Sequence, residues 1–118
     1  MSATTTSTRD AVDTYFRTWK ARDFAGFRAN LADDATFQGP LGTADDGDAC
    51  AAGIEGMSQM LDDVVVHQVA VDGDDAITWF DLHTKDGKVL PVANWSHVRA
   101  GKVDRIRVTF DPRPLFEE

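Results

Sequence analysis

RDAVDTYFRTWKARDFAGFRANLADDATF, residues 9–37, is the stretch on which the fold turns. Its first part places Val12, Tyr15, Phe16 and Trp19 at the i, i+3, i+4, i+7 spacing of an amphipathic helix, predicted over residues 9–21. Ser7 or Thr8 suits the N-cap, and Asp10 complements the positive end of the helix dipole. Asp23 then caps a second helix, FAGFRANLA, with Phe24, Phe27 and Leu31 on one face. Gly26 weakens that helix by about 1 kcal/mol relative to alanine. ADDA reads as a turn made by Asp33 and Asp34, followed by a short strand, ATFQGPLG. Gly39 and Pro40 interrupt this strand. Two explanations stand side by side: a bulge or close approach of a ligand to the backbone, and a bend in an edge strand.

Beyond this stretch, TADDGDACAAG reads as a polar loop, and helical spacing returns at Ile54, Met57, Met60 and Leu61. The pattern then changes for good. VVVHQVAV, AITWFDLHT, KVLPVANWSHV and KVDRIRVTF are β-rich, separated by DGDD, KDG and RAGK, each short enough for a hairpin. Three helices before an antiparallel meander predict an α+β architecture with the helices on one face of a curved sheet. The 118 residues suffice for one domain, expected over residues 9–118 after a disordered lead-in at 1–8.

The net charge of −8 argues against nucleic acid or an anionic membrane as partner. Cys50 is the one cysteine, so no intrachain disulfide forms, which fits a reducing compartment. No apolar run of 18 residues and no secretory pattern at the start are found, and a cytoplasmic location is the expectation.

The ordered set of helix, ARDF turn, helix, LADDATF, GIEGM helix and a meander ending GKVDRIRVTFDPRPL resembles the nuclear transport factor 2-like superfamily. Within it the chain looks most like the SnoaL-like and ketosteroid-isomerase-like proteins. The resemblance spans roughly residues 9–116. It implies a sheet wrapped around a long helix as a cone, an apolar pocket at the cone mouth, and a homodimer through the outer sheet face. In the family's steroid isomerases a carboxylate base immediately precedes the proline; that position here is Gly39. Ungapped counting back from Pro40 puts Phe16 where the family has a tyrosine; with one gap allowed in the hairpin, about Asn94 stands where it has a protonated aspartate. With base and phenol missing from those positions, the family's proton shuttle has no route there.

Other groups are then the candidates for chemistry. In TWFDLHT, period two puts Ile77, Trp79, Asp81 and His83 on one face and Phe80 and Leu82 on the other. If the odd face looks inward, Asp81 and His83 form an acid–base pair beside Trp79 in an aromatic pocket. If it looks outward, they are half-exposed polar residues near a hairpin. Asn94, placed inward by the resemblance, would hydrogen-bond a developing oxyanion. Its neighbours Trp95 and His97 then lie on the outer face. Phe16, Trp19, Gln38, Gly39, Met57, Met60, Trp79 and Phe110 are the expected ligand contacts. His67, His83 and His97 lie on separate strands without HxH or CxxC spacing, so no metal site is expected. Asp111 in DPRP reads as a turn former. GxGxxG, GxxxxGK[ST] and GxSxG are absent, and no cofactor is expected.

The expected ligand is a small apolar or aromatic molecule. Catalysis, if present, would be cofactor-free acid–base chemistry of cyclase, isomerase or hydrolase type on a polyketide-like or carbonyl compound. The alternatives are a non-catalytic carrier and a dimeric interaction domain.

Overall fold

A computed structural model describes residues 7–116. Ser7 accepts the Asp10 amide and caps α1 (Thr8–Lys20), so the helix begins inside the segment expected as lead-in; residues 1–6 of that segment lie outside the described residues. Asp23 accepts the Gly26 amide and caps α2 (Phe24–Ala29). Then come β1 (Leu31–Gly39), β2 (Gly42–Ala44), α3 (Gly47–Ser58), β3 (Leu61–Asp72), β4 (Asp75–Thr84), β5 (Val89–Arg99) and β6 (Lys102–Thr109). A 3-10 turn, Arg113–Phe116, follows.

The six strands make one curved, unclosed sheet in the order β2-β1-β6-β5-β4-β3. The meander β3–β6 is antiparallel as predicted, while β1 returns to lie parallel beside β6. At the β5–β6 hairpin, Ala100 (φ 52°) and Gly101 (φ 80°) both take positive φ, as a type I′ turn requires.

Three local expectations are corrected. ADDA is not a free turn but lies within β1, where the pairing with β6 shifts register between Leu31 and Thr36. TADDGDACAAG is not a loop: it holds β2 and the first half of α3, whose cap Asp46 accepts the Ala49 amide at 2.7 Å. The alanines that follow are strong helix formers and outweigh the two flanking glycines. The helical spacing through Met60 and Leu61 overruns α3, which ends at Ser58; Leu61 instead begins β3.

The helices pack on the inner face of the sheet through an aromatic cluster. Tyr15, Phe16 and Trp19 of α1 meet Phe27 of α2 and Phe80 of β4, with ring centroids 4.8–6.2 Å apart. Such pairs add about 0.5–1.5 kcal/mol each beyond the area they bury. Arg22, in the left-handed region at φ 59°, turns the chain between α1 and α2. Its guanidinium donates to Ser58 O (3.0 Å) and Leu61 O (2.6 Å), tying this corner to the end of α3.

Surface ion pairs bind the periphery. Arg28 reaches Asp33 and Asp48, Arg99 reaches Asp34, Lys20 reaches Asp63 and Arg113 reaches Asp111. The hydrogen bonds from these cations hold the Asp33, Asp34, Asp63 and Asp111 carboxylates below the ordinary value of 3.8, Asp111 at about 2. A carboxylate lowered in the folded state contributes stability above its unfolded pKa and loses it as pH falls through the folded one. The melting temperature is therefore expected to hold steady above about pH 5 and to fall between about pH 4 and 2. A scan of Tm against pH checks this; a Tm that rises over that interval contradicts the sign. Each pair is exposed, so the loss per pair is small.

Candidate binding site

A cavity of about 220 Å³ lies between the inner face of the sheet, α1 and α3. Aromatic rings supply much of its wall: Tyr15, Trp19, Phe37, Phe80 and Phe110. Ile54 and Met57 of α3 and Leu82, Val92 and Val108 of the sheet supply the aliphatic part. The β1–β2 turn contributes Gly39, Pro40 and the exposed Leu41. The volume exceeds the roughly 150 Å³ of a cavity that holds benzene, so a substituted single ring fits.

Two polar groups are sunk into this apolar lining. Tyr15 and Asn94 are each 1% exposed, and among the described residues neither the Tyr15 hydroxyl nor Asn94 Nδ2 has a hydrogen-bond partner. Ser96, two residues along the same face of β5, donates to Asn94 Oδ1 at 2.6 Å, so Nδ2 is the group left to present. Burial raises the Tyr15 pKa far above its ordinary value and keeps the phenol a neutral donor. Asn94 lies close enough to pull that pKa part of the way down, without a hydrogen bond of normal geometry between them. The Thr78 hydroxyl, cross-strand from Asn94, is a third buried polar atom without a partner. A buried donor left unsatisfied costs about 1–3 kcal/mol, which a guest offering an acceptor would recover.

Among the described residues no Asp, Glu, His, Lys or Arg lines the cavity. The ionisable groups in its wall are Tyr15 and Cys50. Burial pushes the Cys50 thiol up to about 11, and it donates to Ala35 O at 3.4 Å. It is therefore protonated near neutral pH and a poor nucleophile. Among the described residues no His, Cys, Asp and Glu group could hold a metal ion.

The residues singled out in the sequence divide. Trp19, Gly39, Met57, Phe110 and Asn94 line the cavity. Phe16 lies behind that wall in the aromatic core. Gln38 and Met60 are exposed and do not line it. The inward reading of the odd face of β4 is corrected. Ala76, Thr78, Phe80, Leu82 and Thr84 are buried, while Ile77 and Trp79 are 48% and 49% exposed. Asp81 and His83 share that outer face and do not line the cavity. The physical reason is Phe80: its ring sits 4.9 Å from Phe16 and 5.7 Å from Trp19, which fixes the phase of the whole strand. Asp81 instead contacts His67, Oδ2 to Nε2 2.7 Å. His97 pairs with Asp104 at 2.6 Å. His83 lies beside Asp63 in the β3–β4 register.

Two ionisable lining residues, Tyr15 and Cys50, are not among the contacts expected from the sequence. The count from Pro40 landed on Phe16, one residue from Tyr15, so the phenol taken as missing is present in the cavity. Cys50 fell within the stretch taken for a loop. The signal for Tyr15 was available: a lone tyrosine on the apolar face of a helix brings a hydroxyl that must end somewhere.

Fold and site together define a class: an α+β domain whose curved sheet and helices enclose a small apolar cavity with buried donors. The SnoaL-like domain family matches residues 12–106, and the chain belongs to that family. It is similar in structure to an NTF2-like protein of unknown function from Cytophaga hutchinsonii, with 28% identity and a TM-score of 0.85 over 98% of this chain and 100% of that one. A de novo designed protein with a curved β-sheet is 24% identical, TM-score 0.82, over 96% and 90%. An LEH-like epoxide hydrolase from M. tuberculosis is 22% identical, TM-score 0.79, over 95% and 88%. The last two likenesses show the fold alone. No curated protein matches this sequence.

Proposed function

We propose that the protein binds, without transforming, a small and mostly apolar molecule that carries a carbonyl or similar hydrogen-bond acceptor. The observation that carries this reading is the pair of donors, Tyr15 Oη and Asn94 Nδ2, left without a partner among the described residues, in an apolar cavity to which those residues bring no carboxylate or imidazole. General acid–base catalysis needs a group that exchanges a proton near the working pH and within reach of the substrate. Tyr15 and Cys50 are both displaced upward, away from that range. The cavity can therefore hold and polarise a carbonyl but has nothing to abstract a proton.

Acetophenone and ethylbenzene test this, since they share a shape and differ in the acceptor. Calorimetry is expected to show acetophenone binding, weakened about tenfold by Asn94→Leu, with ethylbenzene affinity little changed. No turnover should accompany binding. Failure of acetophenone to bind, or an equal loss for both ligands, removes the proposal.

The same reading includes a homodimer through the outer sheet face. Ile77 and Trp79 of β4 and Val89 and Trp95 of β5 form an exposed apolar band. Asp63 and Asp81 lie towards β3, and Arg105 and Arg107 lie on β6. A two-fold axis through the band would set the acidic side of one copy against the basic side of the other. Among the described residues no helix is long and apolar enough to cross a membrane. The unpaired Cys50 is compatible with a reducing, cytoplasmic setting.

A further inference from the structure

We propose that Trp19 is the stop that sets the length of ligand the cavity accepts; the inference rests on the binding reading above. Trp19 is 4% exposed and lines two hollows. One is the 220 Å³ cavity; the other is a hollow of about 20 Å³, bounded by Arg22, Ser58, Leu61 and Val64. That second hollow has room for about one water molecule. Trp19 is the one described residue that lines both, and on this proposal its ring is the partition between them.

The partition is held in place. Trp19 Nε1 donates to Ser58 Oγ at 2.8 Å, and Ser58 Oγ donates to Ile54 O at 2.7 Å, which anchors the ring to the last turn of α3. Phe16 and Phe80 support it from the core, at centroid distances of 6.1 and 5.7 Å. The second hollow also has polar and charged groups in its lining. Arg22 spans Ser58 O and Leu61 O, and Lys20 bridges Asp63 at 2.8 Å. Removing the indole would join the two hollows into one passage ending at these side chains. A ligand held by its acceptor at Tyr15 and Asn94 could then extend towards Ser58.

The test is a series of 4-n-alkylacetophenones, from methyl to hexyl, titrated into wild type, Trp19→Ala, Trp19→Phe and Ser58→Ala. Each methylene that enters apolar space raises affinity about fourfold. Wild-type affinity is expected to climb and then drop at least tenfold at a particular chain length. Trp19→Ala should move that limit outward by several methylenes, and Trp19→Phe by fewer. Ser58→Ala, which keeps the ring and removes its anchor, should soften the limit without shifting the affinity of the parent compound. Trp19→Phe and Ser58→Ala keep the proposal testable where the alanine variant fails to fold. An unmoved limit in variants that bind the parent normally overturns the inference and leaves the binding reading intact. A wild type with no length limit does the same. Failure of the parent compound to bind wild type overturns both.

Discussion

Phe80→Ala is expected to destabilise the protein by about 3–5 kcal/mol, whereas Trp79→Ala, one residue away, costs the monomer less than about 1 kcal/mol. Phe80 is 1% exposed and packs edge-on against Phe16 and Trp19. Truncating it leaves a void in the aromatic cluster of the core, where α1 and β4 cannot close up because each is held by its own hydrogen bonds. Trp79 stands 49% exposed on the other face. Its loss should act on the proposed association instead: if the outer face pairs two copies, Trp79→Ala lowers the fraction of dimer in sedimentation while thermal stability at monomer concentration stays near wild type. Denaturant unfolding of both variants checks the phase of β4. Equal destabilisation by the two would mean that the strand is buried on both sides, and the cavity would then need another wall.

The second large effect is a gain. Gly39 lines the cavity, and a Cβ built there would stand 3.1 Å from Phe37 Cε1 and 3.6 Å from Val108 Cβ. The Phe37 ring must shift by a few tenths of an ångström, and the added side chain then enters an apolar space. Desolvation would raise the pKa of a carboxylate placed there, towards the value of a useful base. Gly39→Asp would thus supply the group whose absence separates this cavity from proton-transfer chemistry, with Tyr15 and Asn94 already available as donors. The variant is expected to isomerise cyclohex-3-enone to the conjugated enone at least about a hundredfold faster than wild type. Ultraviolet absorbance follows the reaction. Asn94→Leu in the same background should remove most of the gain. A folded Gly39→Asp protein no faster than wild type would show that the donors do not face the position of the missing base.

How far the sequence spoke for itself depends on what each residue's neighbours could reveal. α1 was legible because Val12, Tyr15, Phe16 and Trp19 repeat at the helical period over about two turns, with a cap at Ser7 or Thr8, of which Ser7 serves, and Asp23 marks the start of α2. The meander was legible from its turn chemistry. β4 carried apolar residues on both faces, so period two gave the alternation but not its sign. Only contact with α1, far away in sequence, makes Phe80 the inner residue and sends Asp81 and His83 outward. The candidate site was half legible for the same reason. Asn94 was reached through the family pattern, but Tyr15 was displaced by one residue, a rotation of about 100° on a helix. The start of α3 was hidden because Gly47 and Gly53 suggest a loop, while the Asp46 cap and the alanines between them decide otherwise.

The parallel pairing of β1 with β6 has a consequence for how the molecule comes into being. Leu31 lies opposite Val103 and Gln38 opposite Arg107, so about seventy residues separate partners in this ladder. Every other strand pairing joins neighbours in sequence through a short turn. Closing so long a span costs chain entropy before its contacts return anything. During synthesis, β1 and its small partner β2 must wait without a second neighbour until the final strand has left the ribosome. A nascent chain halted before Lys102 would carry α1, α2 and the β3–β5 meander with a gap where β6 belongs. The unpaired edges of β1 and β5 would face each other across that gap, open to any other strand.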